Sequence, residues 1–155
     1  MKKTTIIFAI AAIVLFGCEE STEYRVDHRV NQYVENFFSE GEKRGYVFKR
    51  DNLIIVVQKG VGDVNKYDGL RHQAYCHKDP ETGQVTIRID EDYVESESAT
   101  IECTIFHELG HGLLNRTHGV GVLTPSIMKG HYWTNYFYSD MKDELIDELF
   151  ENKGK

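Results

Sequence analysis

Residues 107–118 read HELGHGLLNRTH, and the spacing of the first five has a specific chemical use. On an α-helix, positions i and i+4 stand one above the other on the same face, so His107 and His111 present two imidazoles to a single ion. Glu108, one step round the helix, lies beside such an ion rather than on it, where its carboxylate can take a proton from water. A catalytic zinc site takes three protein ligands and keeps a fourth position for water. A third donor must therefore come from beyond this turn, and His118 is the candidate. Helical periodicity supports the context, with Ile101, Ile105, Leu109 and Leu113 on one side of the run and the two histidines on the other. Taken singly, a His after a helix is ordinarily a surface residue.

The run resembles the metzincin metallopeptidases, whose motif is HExxHxxGxxH, with a Gly at which the helix breaks and the chain returns to deliver the third His. The match departs by one residue: Leu114 stands where the Gly would be and Thr117 where the third His would be. Asn115 lies three before His118, as the Gly does in the family, and Asn tolerates the left-handed conformation that ends a helix. The family's second hallmark is a tight turn carrying a Met beneath the ligands, and Pro125, Ser126, Ile127 and Met128 follow at a suitable distance. Met128 would then be an apolar bed rather than a ligand. In some members a Tyr two residues past the Met approaches the metal; that position is Gly130 here, which leaves the role vacant or passes it to Tyr132, Tyr136 or Tyr138. The resemblance further implies that residues 129–134 wall the substrate pocket, which Tyr132 and Trp133 would make aromatic. It also implies a Zn2+ cofactor, a protein or peptide substrate, and an edge strand, Ala74–His77 or Val85–Ile89, that pairs with extended substrate.

The chain opens with Lys2 and Lys3, then an apolar-rich run from Thr4 to Phe16, then Gly17 and Cys18. A charged start before an apolar run too short to span a bilayer is the export pattern, so residues 1–17 are read as a signal peptide. Leu15, Phe16, Gly17 and Cys18 look like the lipobox of bacterial lipoproteins, in which the Cys is acylated, although Phe16 is bulkier than usual there. The expectation is a mature chain, residues 18–155, held by lipid at Cys18 in the bacterial cell envelope, the leaflet left open. A plain secretory signal with an incidental Cys is the competing reading. Removing Lys2 and Lys3 takes the formal charge from −7 to −9, and no cluster of Lys and Arg offers a phosphate-binding surface. Nucleic acid is therefore not an expected partner. Cys76 and Cys103 are either a disulfide fixing the metal helix against the sheet, as an oxidising compartment permits, or small buried hydrophobes.

One domain of α+β class is expected, zincin- or metzincin-like, with a small twisted sheet, an active-site helix and a short C-terminal subdomain ending in a helix. A first helix is predicted over about Glu23 to Ser39, from Val26, Val30, Tyr33, Val34, Phe37 and Phe38 at helical intervals and Gly41 as a stop. Leu53 to Val57 reads as a strand covered on both faces, Lys59 to Asp68 as loop, and Gln73–His77 with Gln84–Asp90 as a hairpin about the turn Asp79 to Gly83. The active-site helix should begin between Glu95 and Thr100, where Ser96 or Ser98 can cap it, and end at Asn115. Gly110 within it suggests close backbone packing. A last helix, Asp140 to about Glu151, is predicted to be capped by Ser139 and to turn Met141, Leu145, Ile146 and Leu149 inward.

These readings lead to a monomeric zinc-dependent endopeptidase in which His107, His111 and His118 hold the metal and Glu108 moves the proton. One rival keeps the enzyme and takes Glu144, Asp147 or Glu148 as the third ligand. A rival of another class is a membrane-tethered binding lipoprotein with a structural metal site. Such a site needs a fourth ligand, which His72, His77 or His131 would have to supply without any suggestive spacing.

Overall fold

The computed structural model describes residues 23–61, 73–95, 98–118, 125–129 and 135–151. Tyr24–Val26 forms a short strand, β1, and Asn31–Lys43 a helix, α1. The continuous β-branched run is strand β2, Leu53–Gln58, and the hairpin comprises β3, Ala74–Lys78, and β4, Val85–Asp90. A single turn, α2, Glu91–Val94, follows, then α3, Ser98–Leu114, α4, Asn135–Asp140, and α5, Lys142–Glu151. The described residues thus make a mixed α/β fold with a four-stranded sheet and five helices.

The sheet order is β1-β2-β4-β3, with β2 parallel to both neighbours and β3 antiparallel to β4. Its central strands are the most apolar, and Leu53, Ile55, Val85, Ile87 and Ile89 are all buried. The Asp79 carboxylate accepts the N–H of Glu81 at 2.8 Å and of Thr82 at 2.9 Å, and Gly83, with φ 72, completes the turn that sends β4 back along β3. Helix α3 packs on β3 and β4, and α1 and α4 pack on α3. Phe37 of α1 is the hub of that layer, with ring centroids 5.3 Å from Phe106 of α3 and 5.1 Å from Phe150 of α5. A fully buried side chain of this size contributes about 1.5–3 kcal/mol, so the aromatic cluster is a large share of what locks α3 between sheet and outer helices.

Three local expectations need correction. The helix expected from Glu23 begins only at Asn31, because Tyr24, Arg25 and Val26 pair in register with Leu53, Ile54 and Ile55. Asp27 then accepts the Arg29 N–H at 3.0 Å and turns the chain into the helix. Gly41 is not a stop. It lies inside α1, where a Cβ would stand 2.3 Å from Phe48 Cε2, and the left-handed residue after the helix is Gly45, φ 79. Ser139 does not cap the last helix, since it lies within α4. The proposed caps Ser96 and the side chain of Ser98, together with the signal segment, lie outside what is described.

Candidate metal centre

His107 and His111 project from consecutive turns of α3, and the chain then reverses at Asn115, whose φ of 53 is the one left-handed non-Gly value among the described residues. Lys78 Nζ donates to Asn115 Oδ1 at 2.8 Å, and the Arg116 N–H returns to the Gly110 carbonyl at 2.9 Å, closing the helix end. This reversal brings His118 back over α3. The ligand atoms of His107, His111 and His118 lie within 4.8 Å of one another, close enough to hold a metal ion.

The ring nitrogens are assigned by their partners. His107 Nδ1 lies 2.7 Å from the Ile127 carbonyl and His111 Nδ1 2.6 Å from the Arg116 carbonyl. A carbonyl can only accept, so both Nδ1 atoms carry the proton and both Nε2 atoms of the neutral rings present bare lone pairs. Yet those Nε2 atoms are 3.1 Å apart, and His118 Nε2 lies 3.2 Å from that of His107. Two lone pairs at this distance repel unless a cation lies between them. Metal–nitrogen bonds of about 2.0–2.1 Å in a tetrahedral site would set the nitrogens roughly 3.3 Å apart. A proton is a poor substitute, because burial holds His107 down to about 4 and lowers His111 as well. The donor set therefore fits a metal ion.

Glu108 does not join the three. It is 8 % exposed, and burial pushes its carboxyl up to about 7, while a hydrogen bond from the Cys76 N–H pulls the other way. That N–H is available because the odd-numbered residues of β3 face β4, as the Asp79 N–H to Gln84 bond and the register show. Cys76 therefore points its N–H off the sheet edge. Glu108 is thus held between α3 and the edge strand, next in sequence to a ligand.

Beneath the helix, Met128 is fully buried, and its sulfur would stand 2.6 Å from a Cβ at Gly110. Gly110 is what lets α3 settle on it. Several other sequence candidates fall elsewhere. Asp147 pairs with Arg44, Glu148 with Arg116, and Glu144 and His77 are exposed. Tyr136 is 85 % exposed, and Tyr138 is buried. Cys76 and Cys103 are unbridged. Cys76 Sγ lies 3.2 Å from the Cβ position of Gly112, and the nine residues of helix back to Cys103 span about 13 Å, beyond the roughly 7 Å between Cα atoms that a disulfide allows. Cys18, His72, His131, Tyr132 and Trp133 lie outside the described residues.

Sequence reasoning named Glu148 only as a rival metal ligand and missed that, with Arg116 and Ser126, it fastens the segments whose carbonyls stand behind the histidines. Arg116 Nη2 donates to Glu148 Oε1 at 2.6 Å, and Ser126 Oγ donates to Glu148 Oε2 at 2.7 Å while accepting the Met128 N–H at 3.1 Å. No local signal could have linked residues so far apart in the chain. Comparison with protein-family models, with curated proteins and with solved structures gives no match to this chain, so what the site does has to be argued from its own chemistry.

Proposed function

We propose that this protein is a zinc-dependent endopeptidase with a metzincin-like catalytic domain, lipid-anchored through Cys18 in the bacterial cell envelope. The observation that carries the reading is the convergence of the Nε2 atoms of His107, His111 and His118, those of the first two left bare by a carbonyl on each Nδ1. Zinc in such a site supplies Lewis acidity, lowering the pKa of water and polarising a peptide carbonyl.

The chain's own residues supply the rest. Glu108 follows a ligand in the sequence, and burial raises its pKa to about 7, near the operating pH where a carboxylate both accepts and returns a proton efficiently. It takes the proton of the attacking water and delivers it to the departing amine. The Cys76 N–H holds the carboxylate against β3. Among the described residues β3 is the terminal strand of the sheet, so an extended peptide adding to it would pass the strand that holds Glu108. A closed structural site would need a fourth ligand; of the candidates for it, His77 is exposed on β3, and His72 and His131 lie outside the described residues.

The test is cleavage of a mixed peptide library by the purified protein with and without a chelator, together with Glu108→Gln. Wild type should cleave and the chelator should abolish cleavage. Glu108→Gln should keep its metal and lose at least about 100-fold in turnover, the usual share of a general base. A variant that cleaves as well as wild type would remove Glu108 from the mechanism, and zinc-loaded wild type without cleavage would favour the binding lipoprotein.

A further inference from the structure

Two carbonyls set the proton positions of the ligand histidines, and neither lies on α3. Arg116 O belongs to the segment after the helix and Ile127 O to the turn around Met128. Both segments are fastened to the same carboxylate. Glu148 on α5 takes the Arg116 guanidinium on Oε1 and the Ser126 hydroxyl on Oε2, at 2.6 and 2.7 Å. The Arg116 side chain is only 10 % exposed, and its Nη1 also donates to the carbonyls of Glu148 and Leu149, each at 3.1 Å. These carbonyls are in the last turns of α5, where the helix presents partial negative charge.

We propose that Glu148 is a positioning residue for the metal centre, a clamp from the C-terminal helix that holds the backbone acceptors of His107 and His111 at once. The inference rests on the metal-site reading above and adds to it the element that preorganises the site. One carboxylate spanning two segments couples them: a shift of α5 moves both carbonyls together, and with them both ring orientations. Charge-assisted bonds to Arg116 and a short hydroxyl bond to Ser126 make the link stiff. Partners of this kind behind a ligating imidazole typically govern metal affinity by about 10–100-fold, through tautomer and ring orientation rather than through the fold.

The experiment measures Zn2+ affinity by competition with a chromophoric chelator, and the visible absorption of the Co2+-loaded protein, for wild type, Glu148→Gln and Asp147→Asn. Asp147 is the matched control, because it also ion-pairs from α5 and its hydrogen bonds among the described residues go to Arg44. Glu148→Gln should weaken Zn2+ binding by at least about tenfold and alter the Co2+ band. Asp147→Asn should change neither. A folded Glu148→Gln with wild-type affinity and spectrum overturns the proposal. Wild type that binds neither ion overturns the metal reading and this one with it, whereas binding by wild type without any effect of Glu148→Gln overturns this one alone. Should Glu148→Gln not fold, Ser126→Ala cuts one arm of the clamp, and an unchanged Co2+ band there would equally overturn the proposal.

Discussion

A carboxylate lying where Glu108 does keeps its proton to about pH 7 because ionisation there must proceed without water, against an ordinary value of 4.5. The unfolded chain has released that proton by then. Between about pH 4.5 and 7 the folded metal-free protein therefore holds a proton that the unfolded chain lacks, and its stability falls as pH rises through that window. His107 acts with the opposite sign, since burial lowers it from 6.5 to about 4 and the stability of its neutral form is lost as pH falls through 4. A wild-type pH curve mixes the two, and Glu108→Gln separates them by removing only the first. In metal-free protein this variant should be more stable than wild type at pH 8, by up to roughly 3 kcal/mol, and no more stable at pH 4. Urea midpoints across the pH range read the difference directly. A gain of equal size at every pH would mean that packing rather than ionisation separates the two proteins.

At the level of elements, α3 lies low on the sheet because Gly112 has no side chain. A Cβ there would meet Val85 Cγ1 at 2.4 Å and Cys76 Sγ at 3.2 Å. Val85 is β-branched and buried, so it has little freedom to give way. Gly112→Ala adds about 1 kcal/mol of helix propensity but forces an overlap of the kind that costs about 1–3 kcal/mol, and a net loss of stability is expected. Adding Val85→Ala should return part of that loss, so the two changes should be non-additive in a double-mutant cycle of denaturant midpoints. Additive losses would show that the helix does not press on β4 at this point. The neighbouring Gly110 was legible in the sequence as a close approach, because a glycine inside a strongly periodic helix has few other reasons to be there. The hairpin was legible too, as Asp79 to Gly83 carries its own turn chemistry. Tyr24 to Val26 was not, since three residues are too few to show alternation and Val26 fits the period of the following helix. What makes them a strand is pairing with Leu53 to Ile55, a contact that local pattern does not encode. Gly41 misled for a related reason, because the ring of Phe48 that requires a glycine there approaches from outside the helix.

For the molecule as a whole, the three histidines could be read from one stretch because helix geometry sets the first two and a single left-handed residue, Asn115, returns the third. The framework behind them could not, because it joins α3, the Met128 turn and α5 from His107 to Glu148. This division has a thermodynamic consequence. If the folded chain gathers three imidazoles that the unfolded chain scatters, metal binds the native state preferentially, and stability should rise with free metal as RT ln(1 + [M]/Kd). At a thousandfold excess over Kd that is about 4 kcal/mol, a rise on the order of 10 °C in Tm for a domain of this size. Chelator should reverse it fully. His118→Ala, which removes the ligand delivered from outside the helix, should leave the metal-free midpoint close to wild type because the residue is exposed. It should, however, lose most of the metal-induced rise. A thermal melt in which zinc leaves the wild-type midpoint unmoved would overturn the metal centre itself, whereas one in which zinc raises that of His118→Ala just as far would mean that the third donor lies elsewhere.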